Sequence, residues 1–446
     1  MTANGITRFT TPDGAAFEPL DEQHLRTLAS QIKDRIAGQL AGHARDAGGA
    51  LPTAQKTELT ELYLDEQLDA ASAAQIASGR PALSVHGEHL IRARVRDALL
   101  GLGGLQALMD DPGVETINAN GCDVVFAIRA GGQTTAEAPI ADSDEAMVEL
   151  VRALARSGEE ERRFDRGVAR LNAMLPDGSR LFAAMGVAKR PCLSIRKNLL
   201  QDASLRDLVR RGLLEEKLAA FLTALVGAKF NLLISGGTAD GKTTLLRALL
   251  GTLSPDVRLV TIEDTYELNL DQYPLRHRDV VAYQAREPNT EGQGEVPQAE
   301  LVRWALRMTP DRIIVGELRK DEFIPMCNAM NQGLDGSMAT LHASSSEQVV
   351  ERLINLGLQC EERLPAEATV RLLGSAVDFV IQLGRQRDKT RVITSVREVC
   401  GSDGETLTTN HVWKPGPDRQ AVRGVQLRPQ TLDRLAEAGY DPAVWE

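Results

Sequence analysis

Residues 231–250 read NLLISGGTADGKTTLLRALL. The first five residues form a short apolar run with the length of a buried strand, and the last seven have the composition of a helix. Between them Gly236, Gly237, Thr238, Ala239, Asp240, Gly241, Lys242 and Thr243 fit the pattern G-x-x-x-x-G-K-[ST]. Strand, glycine-rich turn and helix in that order define a phosphate-binding loop. Backbone N–H groups of the loop, with Thr244 next in line, and the positive end of the helix surround the phosphates. Lys242 reaches the outer phosphate oxygens, and the Thr243 hydroxyl ligates Mg²⁺. The expected ligands are therefore a nucleotide and Mg²⁺.

Around this stretch, from about residue 205 onward, apolar strands alternate with helices, the signature of an α/β parallel sheet covered by helices. Strands are expected over residues 231–235, 258–262, 312–315, 337–341, 379–383 and 392–399. Ligands of such sheets lie beyond the carboxyl ends of the strands, and three of these strands end in residues suited to phosphate chemistry. RLVTI is followed by Glu263 and Asp264, RIIV by Gly316 and Glu317, and SMATL by His342. Glu317 is placed to orient and polarise an attacking water; the competing explanation is a capping or salt-bridging carboxylate. Glu263 and Asp264 either hold the magnesium through its waters and position the nucleophile, or form a solvated turn. His342 either senses the terminal phosphate or is a satisfied hydrogen-bonding residue at a strand end.

Upstream the pattern changes. Residues 101–200 read as an α+β domain, with strands over 115–120 and 123–129 around the turn Asn120-Gly121-Cys122, a helix over 143–156, and short strands over 181–185 and 193–196. The turn LPDGSR presents Arg180 at a strand edge. Residues 21–100 carry three amphipathic patterns, with Leu25, Leu28, Ile32, Ile36 and Leu40 on the first and Ile91, Val95 and Leu99 on the third, which together read as a small helical bundle. Residues 1–20 read as a disordered lead. The segment REPNTEGQGEV, 286–296, reads as a polar loop near a site or a surface excursion.

Composition narrows the function classes. The chain has 446 residues, about three domains' worth, and 43% hydrophobic with 25% charged residues is ordinary for a globular protein. Lys plus Arg number 51 against 62 Asp plus Glu, a formal charge of -11, which discourages direct contact with nucleic acid or anionic lipid. An aromatic content of 4% also argues against base-stacking surfaces. Cys122, Cys192, Cys327, Cys360 and Cys400 are far apart and odd in number, so neither a disulfide framework nor a zinc site is expected. No apolar stretch reaches the ~20 residues that a membrane span requires, and the N-terminus lacks a secretory pattern. These features lead us to expect a cytoplasmic protein that meets the inner face of the cell membrane through a partner.

The order of the motifs resembles the secretion ATPases of type II and type IV machines, and especially the Tad/Cpa-type pilus assembly ATPases. GGTADGKTT resembles their Walker A loop, TIEDTYEL their Asp box, LVRWALRMTPDRIIVGELR their Walker B region and GLDGSMATLHASS their His box. LMDDPGVETINANG, LNAMLPDGSRLFAAM and PCLSIRK resemble that family's N-terminal domain. The resemblance implies a RecA-like P-loop NTPase domain over residues 201–446, a homohexameric ring with nucleotide between N- and C-terminal domains, and an inner-membrane platform protein as partner. It further implies that Arg180 and Arg196 reach the terminal phosphate, the alternative being ordinary salt-bridged arginines. A DNA-transfer ATPase of the same superfamily and a nucleotide-ordered scaffold with negligible turnover are the other readings. Two departures stand out: Ala239 and Asp240 occupy positions where the family has small residues, and the zinc-binding cysteine quartet of some members is absent. A carboxylate beside a triphosphate is unfavourable unless it turns to solvent or to a basic neighbour, so Asp240→Ser is expected to raise affinity or rate.

Overall fold

The computed structural model describes residues 22–46, 53–78, 81–99, 102–156, 164–175, 177–199, 202–286, 288 and 293–444. The expected disordered lead, 1–20, and most of the interior of the 286–296 loop lie outside the described residues. The chain divides into two compact units, one ending at Lys197 and the other starting at Asn198.

The first unit opens with α1 (Glu22–Asp46), α2 (Thr53–Ala77) and α3 (Val85–Leu99). Leu25, Ala29, Ile32, Ile36 and Leu40 of α1 meet Leu64 and Leu68 of α2 and Ile91 and Val95 of α3 in one buried cluster. Steps of three and four put these residues on single helix faces, and burying those faces drives the association. After the short α4 (Gln106–Asp110) come β1 (Val114–Asn120), β2 (Val125–Arg129), β3 (Thr134–Glu137), α5 (Asp144–Arg156), β4 (Arg170–Met174), β5 (Arg180–Ala184) and β6 (Cys192–Arg196). The strands form an antiparallel sheet in the order β3-β2-β1-β6-β5-β4. Alternate residues such as Ile117, Ala119, Leu181, Ala183, Leu193 and Ile195 pack against Met147, Val151 and Leu154 of α5. The two strands that sequence reading missed, β3 and β4, are the edges of this sheet, where few side chains are buried and periodicity is weak. The expected turn at Gly121 is present with φ +94, and the guanidinium of Arg190 lies where a Cβ would stand. Arg190 donates to Asp144 at 2.7 Å and to Asp123 at 2.8 Å. With the Cys122 N–H as a further donor, Arg190 holds the Asp144 carboxyl well below the usual carboxylate range.

The second unit contains α6 (Leu205–Arg210), α7 (Glu216–Gly227), β7 (Leu232–Gly236), α8 (Lys242–Leu250), β8 (Leu259–Glu263), β9 (Val280–Gln284), α9 (Gln298–Ala305), β10 (Arg312–Leu318), α10 (Phe323–Asn331) and β11 (Met338–His342). It continues through α11 (Gln348–Gln359), α12 (Ala366–Ala376), β12 (Phe379–Arg385), β13 (Arg391–Ser402), β14 (Leu407–Pro415), β15 (Ala421–Arg423) and α13 (Pro429–Glu437). Nine strands form one mixed sheet in the order β15-β14-β13-β12-β7-β11-β10-β8-β9. From β12 to β9 every pairing is parallel, whereas β13, β14 and β15 add antiparallel strands beyond β12.

The sheet is buried on both faces, which is why its central strands read as continuous apolar runs. Leu232 and Ile234 of β7 enter a core with Phe221, Leu245 and Leu249. Leu233, pointing to the other side, joins Phe323, Met326 and Leu353. Because β-strand side chains alternate, one five-residue strand serves both layers.

The added strands are tied down by a buried charge. Glu398 of β13 is fully buried and accepts from Arg428 Nε at 3.1 Å, the Arg428 backbone N–H and the Thr431 hydroxyl at the start of α13. Removing one member of such a buried pair costs about 3–5 kcal/mol because the remaining polar groups lose their compensation. Glu398→Ala should therefore lower unfolding stability by about that amount, and Thr431→Val by about 1 kcal/mol. Urea titration followed by tryptophan fluorescence checks both, and an unchanged midpoint for Glu398→Ala would refute this anchoring role.

Candidate functional site

β7 delivers the chain to Gly236, and α8 begins at Lys242. Gly241, φ +95, makes the turn into the helix in a conformation that suits glycine. Lys242 is only 7% exposed, and its ammonium donates to the carbonyls of Gly236 at 3.2 Å and Gly237 at 2.9 Å and to His342 Nδ1 at 3.2 Å. The parallel register of β11 with β7 pairs His342 with Gly236, so the strand-end histidine is beside the loop by topology.

From Lys242 the contacts continue outward as a chain. His342 Nε2 lies 2.9 Å from Glu317 Oε1, Arg319 donates to Glu317 Oε2 at 2.8 Å, and its other terminal nitrogen reaches Asp264 Oδ2 at 2.8 Å. With Nδ1 accepting from Lys242, the ring donates through Nε2 to Glu317. Burial pushes the Glu317 carboxyl up, but the hydrogen bonds from His342 and Arg319 outweigh it and bring its pKa down to about 2. Arg319 was not singled out by sequence reading. Its signal was the first of two adjacent basic residues, Arg319 and Lys320, just after Glu317, and only the adjacency of β10 and β8 shows that it bridges two acidic strand ends.

Glu263 has different surroundings from its neighbour Asp264. It is 3% exposed, and its Oε1 accepts the backbone N–H groups of Glu267 at 3.0 Å and Leu268 at 3.1 Å. Arg247 of α8 secures the same loop by donating to the Glu267 carbonyl at 2.6 Å. This geometry gives Glu263 the task of shaping the loop that carries Asp264.

Asp240 meets the condition under which a carboxylate is tolerated here. It is 8% exposed, Oδ2 accepts the Gly237 N–H at 2.8 Å, and Oδ1 accepts from Arg385 Nε at 2.7 Å. The side chain thus turns to a basic neighbour and braces the loop, which removes the physical basis for expecting Asp240→Ser to improve binding. Thr238 and Ala239 contribute their carbonyls to Arg385, and Thr243 and Thr244 lie in the first turn of α8.

Arg180 and Arg196 are directly opposed on neighbouring strands β5 and β6 of the first unit. Each makes contacts within the protein. All five cysteines are free. Among the described residues no group of three or more His, Cys, Asp or Glu side chains is arranged to hold a metal ion alone. The oxygens of Thr243, Asp264 and Glu317 are of the hard type that Mg²⁺ takes, an ion that characteristically keeps waters and shares its coordination with phosphates. No helix among the described residues is long and apolar enough to cross a membrane.

The type II/IV secretion system protein family matches residues 114–413, and the chain belongs to that family. The chain is 31% identical over 310 residues to the type IV secretion system protein VirB11 of Brucella suis biovar 1, a match covering 63% of this chain and 83% of the relative. It is 36% identical over 244 residues to a putative conjugal transfer protein of Mycobacterium tuberculosis; that match covers 55% of this chain and only 65% of the relative's length. Among solved structures, the VirB11 ATPase from the Brucella suis type IV secretion system in complex with sulphate is similar at 29% identity with a TM-score of 0.36, covering 68% of this chain and 94% of that one.

The depressed pKa of Glu317 has a stability consequence with a definite sign. The stabilisation is fully present above the unfolded-state value near 4.5 and disappears as pH falls through about 2. After allowance for partial exposure it amounts to roughly 2 kcal/mol. Glu317→Gln lacks this titration, so the difference in stability between wild type and variant should shrink between pH 4.5 and pH 2. Parallel urea midpoints across that window would contradict the coupling.

Proposed function

We propose that this protein is an ATP-hydrolysing motor, with a RecA-like catalytic domain, that works as a homohexamer on a membrane-embedded platform protein to drive pilus assembly or protein secretion. The continuous chain Lys242–His342–Glu317–Arg319–Asp264 carries the reading, because it joins the phosphate-binding loop to groups at the ends of three further parallel strand segments. Membership of the secretion family supports the setting.

In hydrolysis a water oxygen bonds to the γ-phosphorus while the bond to the β–γ bridging oxygen breaks, leaving ADP and inorganic phosphate. Lys242 exchanges the loop carbonyls for phosphate oxygens, and the loop N–H groups bind the β-phosphate. Thr243 and Asp264 would hold Mg²⁺, which when bound would neutralise charge at the phosphate oxygens. Glu317 orients the water; with a pKa near 2 it is a weak base, and a loose phosphoryl-transfer transition state asks for little early proton removal. His342 connects Glu317 to Lys242, so a change at either is felt at the other. Glu263 keeps the Asp264 loop in place, and Arg180 and Arg196 add cationic charge during transfer. We place the enzyme in the cytoplasm, at the inner face of the cell membrane.

A second reading, a conjugation ATPase, is favoured by the descriptions of relatives as conjugal transfer proteins. The acidic balance of the chain favours the platform-driven motor without direct DNA contact.

Lys242→Ala should abolish measurable ATP binding. Glu317→Gln should bind ATP normally while slowing phosphate release by about 10²–10⁴-fold, and Arg180→Ala or Arg196→Ala should reduce kcat more than affinity. Unchanged kinetics in Lys242→Ala would remove the site assignment. Native mass with a non-hydrolysable ATP analogue should correspond to six chains, and inner-membrane vesicles carrying the platform protein should raise turnover where duplex and single-stranded DNA do not. Stimulation by DNA alone would transfer the assignment to the conjugation reading.

A further inference from the structure

From the sequence, Asp240 is a departure that weakens nucleotide binding or turnover unless its carboxylate turns to solvent or to a basic neighbour. Its surroundings give it a specific partner on a distant part of the chain. β12 runs parallel to β7 and ends at Arg385 on the same sheet edge as the phosphate-binding loop, and β13 returns from that edge with Arg391 paired to Arg385. Arg385 donates to Asp240 Oδ1 at 2.7 Å, to the Ala239 carbonyl at 3.0 Å and to the Thr238 carbonyl at 3.4 Å. Arg391 donates to the same Ala239 carbonyl at 2.8 Å. Ala239 has φ +64, a left-handed conformation that a non-glycine residue adopts only when its surroundings impose it. Arg419, in the turn between β14 and β15, completes the arrangement by donating to the Arg385 carbonyl at 3.0 Å.

We propose that Arg385 is a positioning residue of the nucleotide site, acting through Asp240: the pair holds residues 237–240 in their binding shape and neutralises the carboxylate that would otherwise repel the phosphates. The inference rests on the reading of the Lys242 loop as the nucleotide site. It makes affinity depend on the β12–β13 hairpin, whose displacement would pull Arg385 from Asp240 and expose an uncompensated negative charge beside the ligand. The fork of the guanidinium matters because one side chain bonds a carboxylate and two carbonyls at once, which a lysine ammonium cannot reproduce with the same geometry.

A double-variant cycle on the full chain tests this, with ATP, ADP and AMP as probes and urea midpoints measured alongside. Arg385→Ala should weaken ATP binding about tenfold and Asp240→Ser about threefold, whereas the double variant should stay near the Asp240→Ser value instead of the roughly thirtyfold product. Arg385→Lys should fall between wild type and Arg385→Ala. The Arg385→Ala penalty should decrease from ATP to ADP to AMP and shrink in high salt, because it originates in repulsion between Asp240 and phosphate charge. A merely structural role would give the double variant no recovery and the same penalty for all three nucleotides. Wild-type-like binding by Arg385→Ala, or multiplicative losses in the cycle, would overturn the inference while leaving the nucleotide site intact. Failure of the wild-type protein to bind ATP or ADP would instead overturn the site reading on which it rests.

Discussion

The parallel register of β12, β7, β11, β10 and β8 is the constraint on which the rest of the second unit depends. Parallel strands all direct their carboxyl ends to one edge, so every polar residue placed just after an apolar run arrives at the same boundary. Lys242, His342, Glu317 and Asp264 are separated by up to 100 positions in sequence, yet adjacent strand pairings bring them into one hydrogen-bonded line with Arg319. Charges gathered in this way must compensate one another, because a partly buried carboxylate or ammonium without a partner is costly. The alternation of acid and base along the line meets that requirement and prepares a surface of alternating charge for a phosphate-bearing ligand.

The same requirement accounts for the contacts of Glu263 and Asp240 beside that line. Glu263 is buried and therefore takes backbone N–H groups, which turns a strand-end acid into the support of the following loop. Asp240 is buried and therefore takes the Gly237 N–H and Arg385. In both cases burial decides the role. Two acids near a phosphate-binding loop are not two interchangeable ligands; which one faces the ligand depends on what else competes for its oxygens.

Much of this is legible in the sequence. Central strands of a two-sided sheet must be apolar along their whole length, so β7, β8, β10, β11 and β12 announce themselves. The phosphate-binding loop follows from glycine placement and from the strand and helix that flank it. The edge strands β3, β4, β9 and β15 were not legible, and neither was β14 beside the last of them, because strands at the margin of a sheet bury few side chains and their pairing depends on the strand beside them. The helical bundle was legible at Leu25, Ile32, Ile36, Ile91 and Val95, where steps of three and four survive; Leu28 lies at the margin of that core and Ala29 takes the buried position instead.

By itself the sequence determined the residue types of the site and their order, since G-x-x-x-x-G-K-T, an acidic pair, a later glutamate and a histidine each follow a run that can only be a strand. Tertiary structure alone decided the partners: that Arg319 spans Glu317 and Asp264, that Glu263 serves its own loop, and that Arg385 meets Asp240 from 145 positions away. The reason is physical. Local periodicity records which face of an element is buried, but hydrogen-bond partners of charged groups are set by strand order, and strand order is a property of the whole sheet.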